Sequence, residues 1–478
     1  MTMPTNAEYL RFLPEIILTL TGILIMFLEA VSASRRLFTP ISIIGLAAAL
    51  IAAATADPGA AFHDMLMIDV FGTFFRVLVI GAGILTVFSS YDYLQRENAP
   101  GGEFYALLIF SVMGQCVMVT ANELIMIFIG LEISSISSYI LAGYLRDDKR
   151  NNESALKYFL LGSFATAFLL YGVAWIYGIT ATTNLELVRK AIETPGFDSF
   201  ALAGVAAALI FVGLGFKISA VPFQVWAPDV YQGAPAPVSA FLSVGPKAAA
   251  FAILLRVFLT AFGPISDRWT PFIWACALAT MIVGNFAALR QSNIKRLLAY
   301  SSIANAGYML VAVAAHSDTG AAAVMFHLAA YALTTIGAFA VIAYFGRKGE
   351  QYVAIDDFAG LAQRQPMMAA MMTIFLLSLI GVPLTGGFFG KFYIFKASLD
   401  ANLIWLTVLG LLNSAVAAYY YLQLLVVMYM KEPGESVENL PPVGFGIKVA
   451  VYASALGTLI LGIFPSTILD YASRTILK

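Results

Sequence analysis

The sequence predicts an all-α polytopic membrane protein with about 14 transmembrane helices. Of its 478 residues, 60% are hydrophobic and only 12% are charged, whereas roughly 25% are charged in ordinary soluble domains. Long apolar stretches recur along the chain with short polar breaks between them. Because one membrane-spanning helix needs about 20 residues, about 14 spans would use nearly all the apolar residues.

The composition also excludes several classes of function. The 27 basic and 28 acidic residues nearly balance, which argues against a nucleic-acid binder. Cys116 and Cys276 are too few for an iron–sulfur or structural zinc site built from thiolates. No phosphate-binding loop, dinucleotide fingerprint or nucleophile–base set appears. We therefore expect this chain to bind no redox cofactor and no metal.

Hydropathy assigns the spans in chain order. Each apolar stretch is long enough to cross the hydrocarbon core as a helix. The predicted spans cover 10–31, 38–56, 70–91, 104–121, 122–145, 154–179, 200–232, 236–261, 270–289, 295–315, 319–346, 366–398, 402–430 and 446–471.

The seventh and twelfth spans are too long for one simple crossing. The seventh contains Pro222 and Pro228, and the twelfth contains Pro383. Proline removes a backbone donor and clashes with the preceding turn, so each span is expected to be a broken helix. In lipid, a break is tolerated only where protein or water satisfies the freed backbone groups.

The loops predict an orientation. Loops after odd-numbered spans, which include Arg35 and Arg36, carry more than twice as many lysines and arginines as the opposite side. By the positive-inside rule these loops face the cytoplasm. Both termini are then expected on the outer side.

Four charged residues fall near the predicted bilayer centre, namely Glu132, Lys217, Lys247 and Lys391. A charge at that depth costs about 2.5–3.5 kcal/mol on insertion scales and marks a functional candidate. Glu132 and Lys217 could form a structural ion pair, but no further central carboxylate is available for Lys247 and Lys391. A lysine held in this way can take up and release a proton when a neighbouring charge moves. The pattern therefore favours a proton relay.

Other charged residues are weaker candidates. Lys157 and Lys295 lie toward the expected cytoplasmic ends of their spans, where they either snorkel or take part in proton uptake. His327 is a buried polar candidate in the eleventh span. Arg76 and Arg256 lie near outer helix ends, where we expect long side chains to snorkel.

The two expected breaks are five spans apart. This spacing pairs spans 4–8 with spans 9–13, a pattern typical of inverted repeats in transporters. It divides the chain into an N-terminal three-helix segment (1–103), two five-helix repeats (104–261 and 262–430) and a C-terminal helix (431–478).

Several motifs resemble one known family. The run GFKISAVPFQVWAPDVYQGAP over 215–235, the Pro246–Lys247 pair and the run KRLLAYSSI over 295–303 are similar to the antiporter-like subunits of respiratory complex I, and closest to the subunit N family. The resemblance implies about 14 helices in a bacterial inner membrane, with two inverted half-channels. It also implies proton translocation coupled to quinone reduction in partner subunits.

The resemblance also implies roles and partners. Glu132 would modulate Lys217, Lys217 and Lys247 would relay protons, and Lys391 would serve the outward half-channel. The partners would be other membrane-arm subunits and membrane lipids, and NADH and quinone would be used by the whole complex. Gln224, where many relatives have histidine, argues against a titrating group at that position.

Two other functions share parts of this pattern. A cation/proton antiporter subunit would have the same fold and the same lysines. A purely structural spacer of a membrane arm would tolerate removal of the central charges.

Overall fold

The computed structural model describes residues 3–31, 37–438 and 440–475; Arg35 and Arg36, used above for orientation, lie outside the described residues. Within these ranges the chain is almost entirely helical. The α-helices are α1 (Asn6–Arg11), α2 (Leu13–Val31), α3 (Phe38–Ala54), α4 (Val70–Glu97), α5 (Gly102–Thr120), α6 (Leu124–Ala142), α7 (Lys149–Thr180), α8 (Leu185–Glu193), α9 (Phe200–Ile218), α10 (Ala227–Gly233), α11 (Ala236–Arg256), α12 (Ser266–Ala288), α13 (Ile294–Ala314), α14 (Asp318–Phe345), α15 (Leu361–Arg364), α16 (Pro366–Ile380), α17 (Gly386–Asp400), α18 (Ile404–Met430), α19 (Phe445–Ile463) and α20 (Ser466–Ala472).

The predicted all-α polytopic class is confirmed. In the described part of the chain, 12 helices are long and apolar enough to cross a membrane, and α3 and α16 are shorter apolar helices. Each predicted span coincides with one helix or with a helix pair. The last span, predicted to reach residue 471, ends at Ile463 instead, because Pro465 follows and disfavours helical geometry before it.

A few short elements were not predicted. Strands β1 (Gly59–Ala61) and β2 (Leu66–Ile68) form an antiparallel hairpin between α3 and α4. A π-helical turn (Val257–Ala261) extends α11, and 3₁₀ turns lie at Gly263–Ile265, Lys348–Glu350, Ile355–Phe358 and Glu435–Val437. These elements lie in connections between the long helices, so they leave the helical architecture unchanged.

The seventh predicted span is broken as expected. Helix α9 ends at Ile218 and α10 begins at Ala227. The Val221 amide donates to the Thr280 hydroxyl of α12 at 2.9 Å, and the Trp226 indole N–H donates to the Phe216 carbonyl at 2.9 Å. Protein groups thus satisfy part of the backbone that the break frees, as a break inside a membrane requires.

The twelfth predicted span is also broken. Helix α16 ends at Ile380, Gly381 has a φ of +93°, and α17 begins at Gly386. The Gly387 amide donates to the Ser378 hydroxyl at 3.1 Å. A Cβ atom on Gly387 would overlap the Ser378 carbonyl oxygen, so the two half-helices approach closely only because this residue is glycine.

Three helices form the centre of the molecule. In the most apolar stretches of α11, α13 and α14, 100, 94 and 94% of the residues are buried inside the protein. Helix α14 packs on α11, α13 and α17. A helix that is apolar on all sides belongs in such a position, and polar side chains on these helices are enclosed by protein.

The expectation that Arg76 and Arg256 snorkel is wrong. Arg76 is fully buried and forms an ion pair with Glu15 at 2.7 Å. Arg256 lies 2.9 Å from Asp69. Each arginine instead pairs with an acid that is distant in sequence, Glu15 or Asp69. The position of an arginine along its own helix cannot predict such a partner.

Candidate functional site

Lys217 lies in the last turn of α9, directly before the first break, and is 6% exposed. Its ammonium donates to the Tyr139 hydroxyl at 3.3 Å. The same nitrogen lies 5.0 Å from the ring centre of Tyr139, 5.2 Å from Tyr158 and 5.7 Å from Phe216. Aromatic faces and the negative end of a helix thus stabilise this cation where a carboxylate would be expected.

Glu132 lies on α6, seven residues and so two turns before Tyr139, on the same helix face. Among the described residues Glu132 forms no ion pair, and its Oε1 atom is buried without a hydrogen-bond partner. The structural Glu132–Lys217 ion pair considered above is therefore not formed here.

A polar cluster continues from Lys217 toward α11. The Gln115 amide donates to the hydroxyls of Ser111 at 3.2 Å and Ser134 at 3.3 Å. Gln115 also lies directly against Gly245 of α11. A small cavity beside Lys217 reaches Pro246, the residue before Lys247. It is also lined by Ser134, Ser135, Ser138 and Tyr158.

Lys247 is the innermost of the central lysines, with 1% exposure in the middle of α11. Its ammonium donates to the Ser302 carbonyl on α13 at 3.0 Å and also to the Ser302 hydroxyl. The hydroxyls of Tyr231 and Tyr331 are buried without a hydrogen-bond partner among the described residues. Every partner is neutral, so this lysine has a hydrogen-bonded environment without a counter-charge.

His327 connects the centre to the second break. Its Nε2 atom lies 3.2 Å from the Asn305 side-chain oxygen on α13. Its ring lies against Gly390, the residue before Lys391, where a Cβ atom would be 2.5 Å from Nδ1. His327 thus lies between α13, which accepts hydrogen bonds from Lys247, and the neighbourhood of Lys391 on α17.

Lys391 lies on α17, just after the second break, and is 6% exposed. Its ammonium donates to the carbonyls of Leu379 at 2.8 Å and Ile380 at 3.0 Å, and to the Ser414 hydroxyl at 3.0 Å. It also lies 4.9 Å from the Tyr308 ring centre. Since Leu379 and Ile380 end α16, the negative end of a half-helix faces this lysine too.

The two remaining candidates lie away from this row. Lys157 is 40% exposed and pairs with Glu153 at 2.6 Å and Asp229 at 2.7 Å. Lys295 is buried and pairs with Glu350 at 2.5 Å. Neither snorkels freely, because each is held by an acid.

Sequence reasoning missed several residues of the site. Gln115 was detectable, because an amide inside an apolar span is as unusual as a charge. The aromatic rings around Lys217 and Lys391 gave no such signal, since Tyr and Phe are common in membrane helices. Glu350 could not be found either, because it lies in a polar loop and its burial depends on tertiary packing.

No group of three or more histidines, cysteines, aspartates or glutamates in the described ranges could hold a metal ion. The arrangement is instead a row of hydroxyls, amides, an imidazole and amines. Such groups accept and donate protons through hydrogen bonds.

Comparisons with known proteins assign the family. The family described as NADH:quinone oxidoreductase/Mrp antiporter, TM matches residues 121–417. NADH-quinone oxidoreductase subunit N 1 of Solibacter usitatus (strain Ellin6076) is 63% identical over 98% of this chain and 97% of the relative. The chain belongs to the subunit N family of NADH-quinone oxidoreductases. It is a multi-pass, antiporter-like membrane subunit.

Solved structures agree with this assignment. A chain of respiratory complex I from Thermus thermophilus has a TM-score of 0.83 and 34% identity, covering 96% of this chain and 99% of that one. A chain of the Mrp complex from Dietzia sp. DQ12-45-1b has a TM-score of 0.84 at 21% identity, covering 97% and 96%. The second similarity shows a shared fold only.

Proposed function

We propose that this subunit N chain translocates protons in the membrane arm of NADH–quinone oxidoreductase, and that Lys217, Lys247 and Lys391 relay them. Glu132 modulates Lys217 through its charge. The chain carries out no redox chemistry of its own, and NADH and quinone are used by partner subunits. The observation that carries the proposal is that three buried ammonium groups have only neutral hydrogen-bond partners.

Desolvation opposes the charge of a buried cation that has no counter-ion. Carbonyl, hydroxyl and aromatic groups stabilise the ammonium without fixing it as a salt bridge would. A small movement of charge at Glu132 or at a neighbouring lysine therefore shifts the proton balance. This behaviour suits a relay, whereas a scaffold would be more stable with apolar side chains in these positions.

The route follows hydrogen-bonding groups across the centre of the chain. It runs from Glu132 through Tyr139 to Lys217, and then along the Gln115 cluster to Lys247. Asn305 and His327 continue it to Lys391. Buried polar atoms such as Gln115 Oε1 and His327 Nδ1 have no protein partner in the described ranges, so we expect ordered water to complete the connections.

The same arrangement of a lysine and a helix end occurs at both breaks. Each break places a lysine against the negative end of a half-helix, Lys217 at α9 and Lys391 at α16. This repetition supports two inverted five-helix units, 104–261 and 262–430, flanked by 1–103 and 431–478. The charge bias of the loops supports cytoplasmic odd-numbered loops and both termini on the periplasmic side of the inner membrane.

The test removes one charge at a time in the assembled complex. In Lys217→Met and Glu132→Gln, we expect NADH-driven proton pumping into inverted membrane vesicles and quinone reduction to fall together. Lys217→Met should lose at least about tenfold, as expected for loss of a proton-transfer group. Lys190→Met on the exposed face of α8 is the control and should behave like the parent. Full pumping by both central variants would show that the assignment is wrong.

A cation/proton antiporter subunit is the second candidate, because the matching family description also names the Mrp antiporter. The two functions require different partners. Purification of a tagged chain from mild detergent should bring flavin- and iron–sulfur-containing subunits with it. Co-isolation of small membrane subunits alone, together with sodium-dependent proton exchange, would favour the antiporter instead.

A further inference from the structure

Glu350 is a buried carboxylate that the route above does not use. It lies in the 3₁₀ turn after α14 and is 9% exposed. Its Oε1 atom accepts hydrogen bonds from the Tyr93 hydroxyl at 2.9 Å and the Ala236 amide at 2.7 Å. Its Oε2 atom lies 2.5 Å from the Lys295 ammonium. One acid therefore joins α4, the start of α11 and the start of α13.

The backbone turns this side chain inward. Glu350 has a φ of +49°, and Gly349 before it has a φ of +70°. A non-glycine residue in this region is unfavourable and needs support from its surroundings. The support here comes from the carboxylate itself, whose partners are all on other elements.

Lys295 leads from Glu350 toward the central row. It is 1% exposed, and its ammonium also donates to the Ala234 carbonyl at 2.5 Å. Ser302, which holds Lys247, lies seven residues further along α13. Residues seven apart share one helix face at a distance of about 10.5 Å. Helix α10 packs on α13, and its Tyr231 hydroxyl is buried without a hydrogen-bond partner among the described residues.

A cavity lies beside Gly349, the residue before Glu350. It has a volume of about 830 Å³ and is lined by Gly349, Glu97, Tyr144 and residues 145–149. The Gly349 amide donates to the Glu97 carboxylate at 3.0 Å. The acid therefore follows a residue that lines the cavity and pairs with a buried lysine.

We propose that Glu350 is the proton-uptake carboxylate of this subunit, passing protons from the cavity beside Gly349 to Lys295 and on toward Lys247. In the step itself, the carboxylic O–H bond of Glu350 breaks and an N–H bond forms on the neutral Lys295 amine. The products are a carboxylate and an ammonium, the pair seen in the structure. An N–H bond of Lys295 then breaks and an N–H bond forms on the neutral Lys247 amine, with water and the Ser302 hydroxyl each accepting one proton as they give up another. A proton from the solvent of the cavity then restores the carboxylic acid of Glu350.

Other charged and titratable groups surround this acid, and they set the conditions under which it exchanges protons. They come from α4, from the start of α7, from α13 and from the loop of Glu350 itself. They are Tyr93, Arg96, Glu97, Asp148, Arg150, Lys295, Arg347 and Lys348.

The inference rests on the proposed relay, and the experiment separates the two. Inverted membrane vesicles expose the face expected to be cytoplasmic, so the pH of the outer medium can be varied. Glu350→Gln keeps an oxygen for the Ala236 amide but cannot carry the proton. We expect it to lower pumping at least about tenfold, with assembly of the complex preserved. Glu350→Asp should retain pumping with a shifted pH profile on the outer side.

Asp356→Asn is the matched control, because Asp356 pairs with Lys431 at an exposed site nearby. It should leave both the pumping rate and the pH profile unchanged.

If the complex does not assemble with Glu350→Gln, the pH profile of Glu350→Asp tests the uptake role instead, since a purely structural role would change thermal stability and not the pH profile. An unchanged pH profile in that variant, or full pumping by Glu350→Gln, would overturn the inference. If pumping also survives Lys247→Met, the relay itself has failed. If Lys247→Met loses pumping but Glu350→Gln does not, only the uptake role of Glu350 is refuted.

Discussion

At the scale of single residues, the central lysines share a coordination that contains no acid. Lys247 has the Ser302 carbonyl and hydroxyl, and Lys391 has two helix-end carbonyls and a serine hydroxyl. By contrast, Arg76 and Lys295 are buried but acid-paired. A buried charge fixed by an ion pair therefore differs from one that only neutral groups hold.

Lys391→Met should therefore remove function more than stability. The variant loses an ammonium that lacks an acidic partner, so no uncompensated charge is left behind. We expect proton pumping to fall at least about tenfold, while the complex still assembles. Lys396→Met is the control, because Lys396 lies on the same helix but is exposed. Pumping by vesicles carrying each variant, normalised to assembled complex on a native gel, measures the effect, and equal rates for the two would contradict it.

The sequence could predict the depth of these residues but not their neighbours. Depth follows from counting along an apolar span, which is a one-dimensional property. The Tyr139 and Tyr158 rings around Lys217, or the Glu15 partner of Arg76, arise from helices that are distant in sequence. The snorkelling expectation for Arg76 failed for this reason, whereas the central position expected for Lys247 agrees with its burial.

At the scale of elements, the two helix breaks determine where Lys217 and Lys391 lie. The sequence predicts both breaks from their prolines, since proline cannot continue a helix without the loss of a hydrogen bond. What the sequence could not predict is how the freed groups are satisfied. Thr280 of α12 receives the Val221 amide, and Lys391 donates to the end of α16. The carbonyls freed at the second break and the Lys391 ammonium thus satisfy each other.

Gly387→Ala should disturb the second break. The added methyl group would overlap the Ser378 carbonyl oxygen, so α16 and α17 would have to move apart, at a cost of roughly 1–3 kcal/mol. We expect a lower thermal unfolding temperature of the purified complex and weaker pumping. Gly178→Ala on α7 is the control, because nothing lies within 4 Å of its added methyl group. A Gly387→Ala variant as stable as Gly178→Ala would show that the close approach is unimportant.

A buried charge pair joins two of the N-terminal helices, α2 and α4. Glu15 on α2 and Arg76 on α4 are both fully buried. Removing one partner from such a pair typically costs about 3–5 kcal/mol, whereas replacing both by apolar groups is often nearly neutral. Glu15→Leu should therefore destabilise strongly, and the double change Glu15→Leu/Arg76→Leu should recover most of the loss in a thermal unfolding assay. The exposed Glu103–Arg146 pair is the control, with an expected effect of about 1 kcal/mol or less. Additive losses in the double variant would contradict this account.

At the scale of the whole molecule, the polar groups form one row across the chain, from α6 through α9, α11, α13 and α14 to α17. The enclosing helices present large apolar side chains outward, among them Phe164, Tyr171 and Trp405. Burying polar groups along a row inside an apolar shell is costly unless they are hydrogen bonded. The hydrogen bonds of the three central lysines offset part of this cost.

The direction of transport depends on the orientation of the chain, which labelling can test. We expect Asp147→Cys in the loop after α6 to face the cytoplasm and Glu193→Cys at the end of α8 to face the periplasm. Both positions are exposed, and the native Cys116 and Cys276 are buried, so background reaction of this chain with a membrane-impermeant maleimide should be low. In intact spheroplasts only Glu193→Cys should be labelled on the purified, tagged chain, and in inverted vesicles only Asp147→Cys. The opposite pattern would place the cavity beside Glu350 on the periplasmic side, and the acid would then be a proton exit.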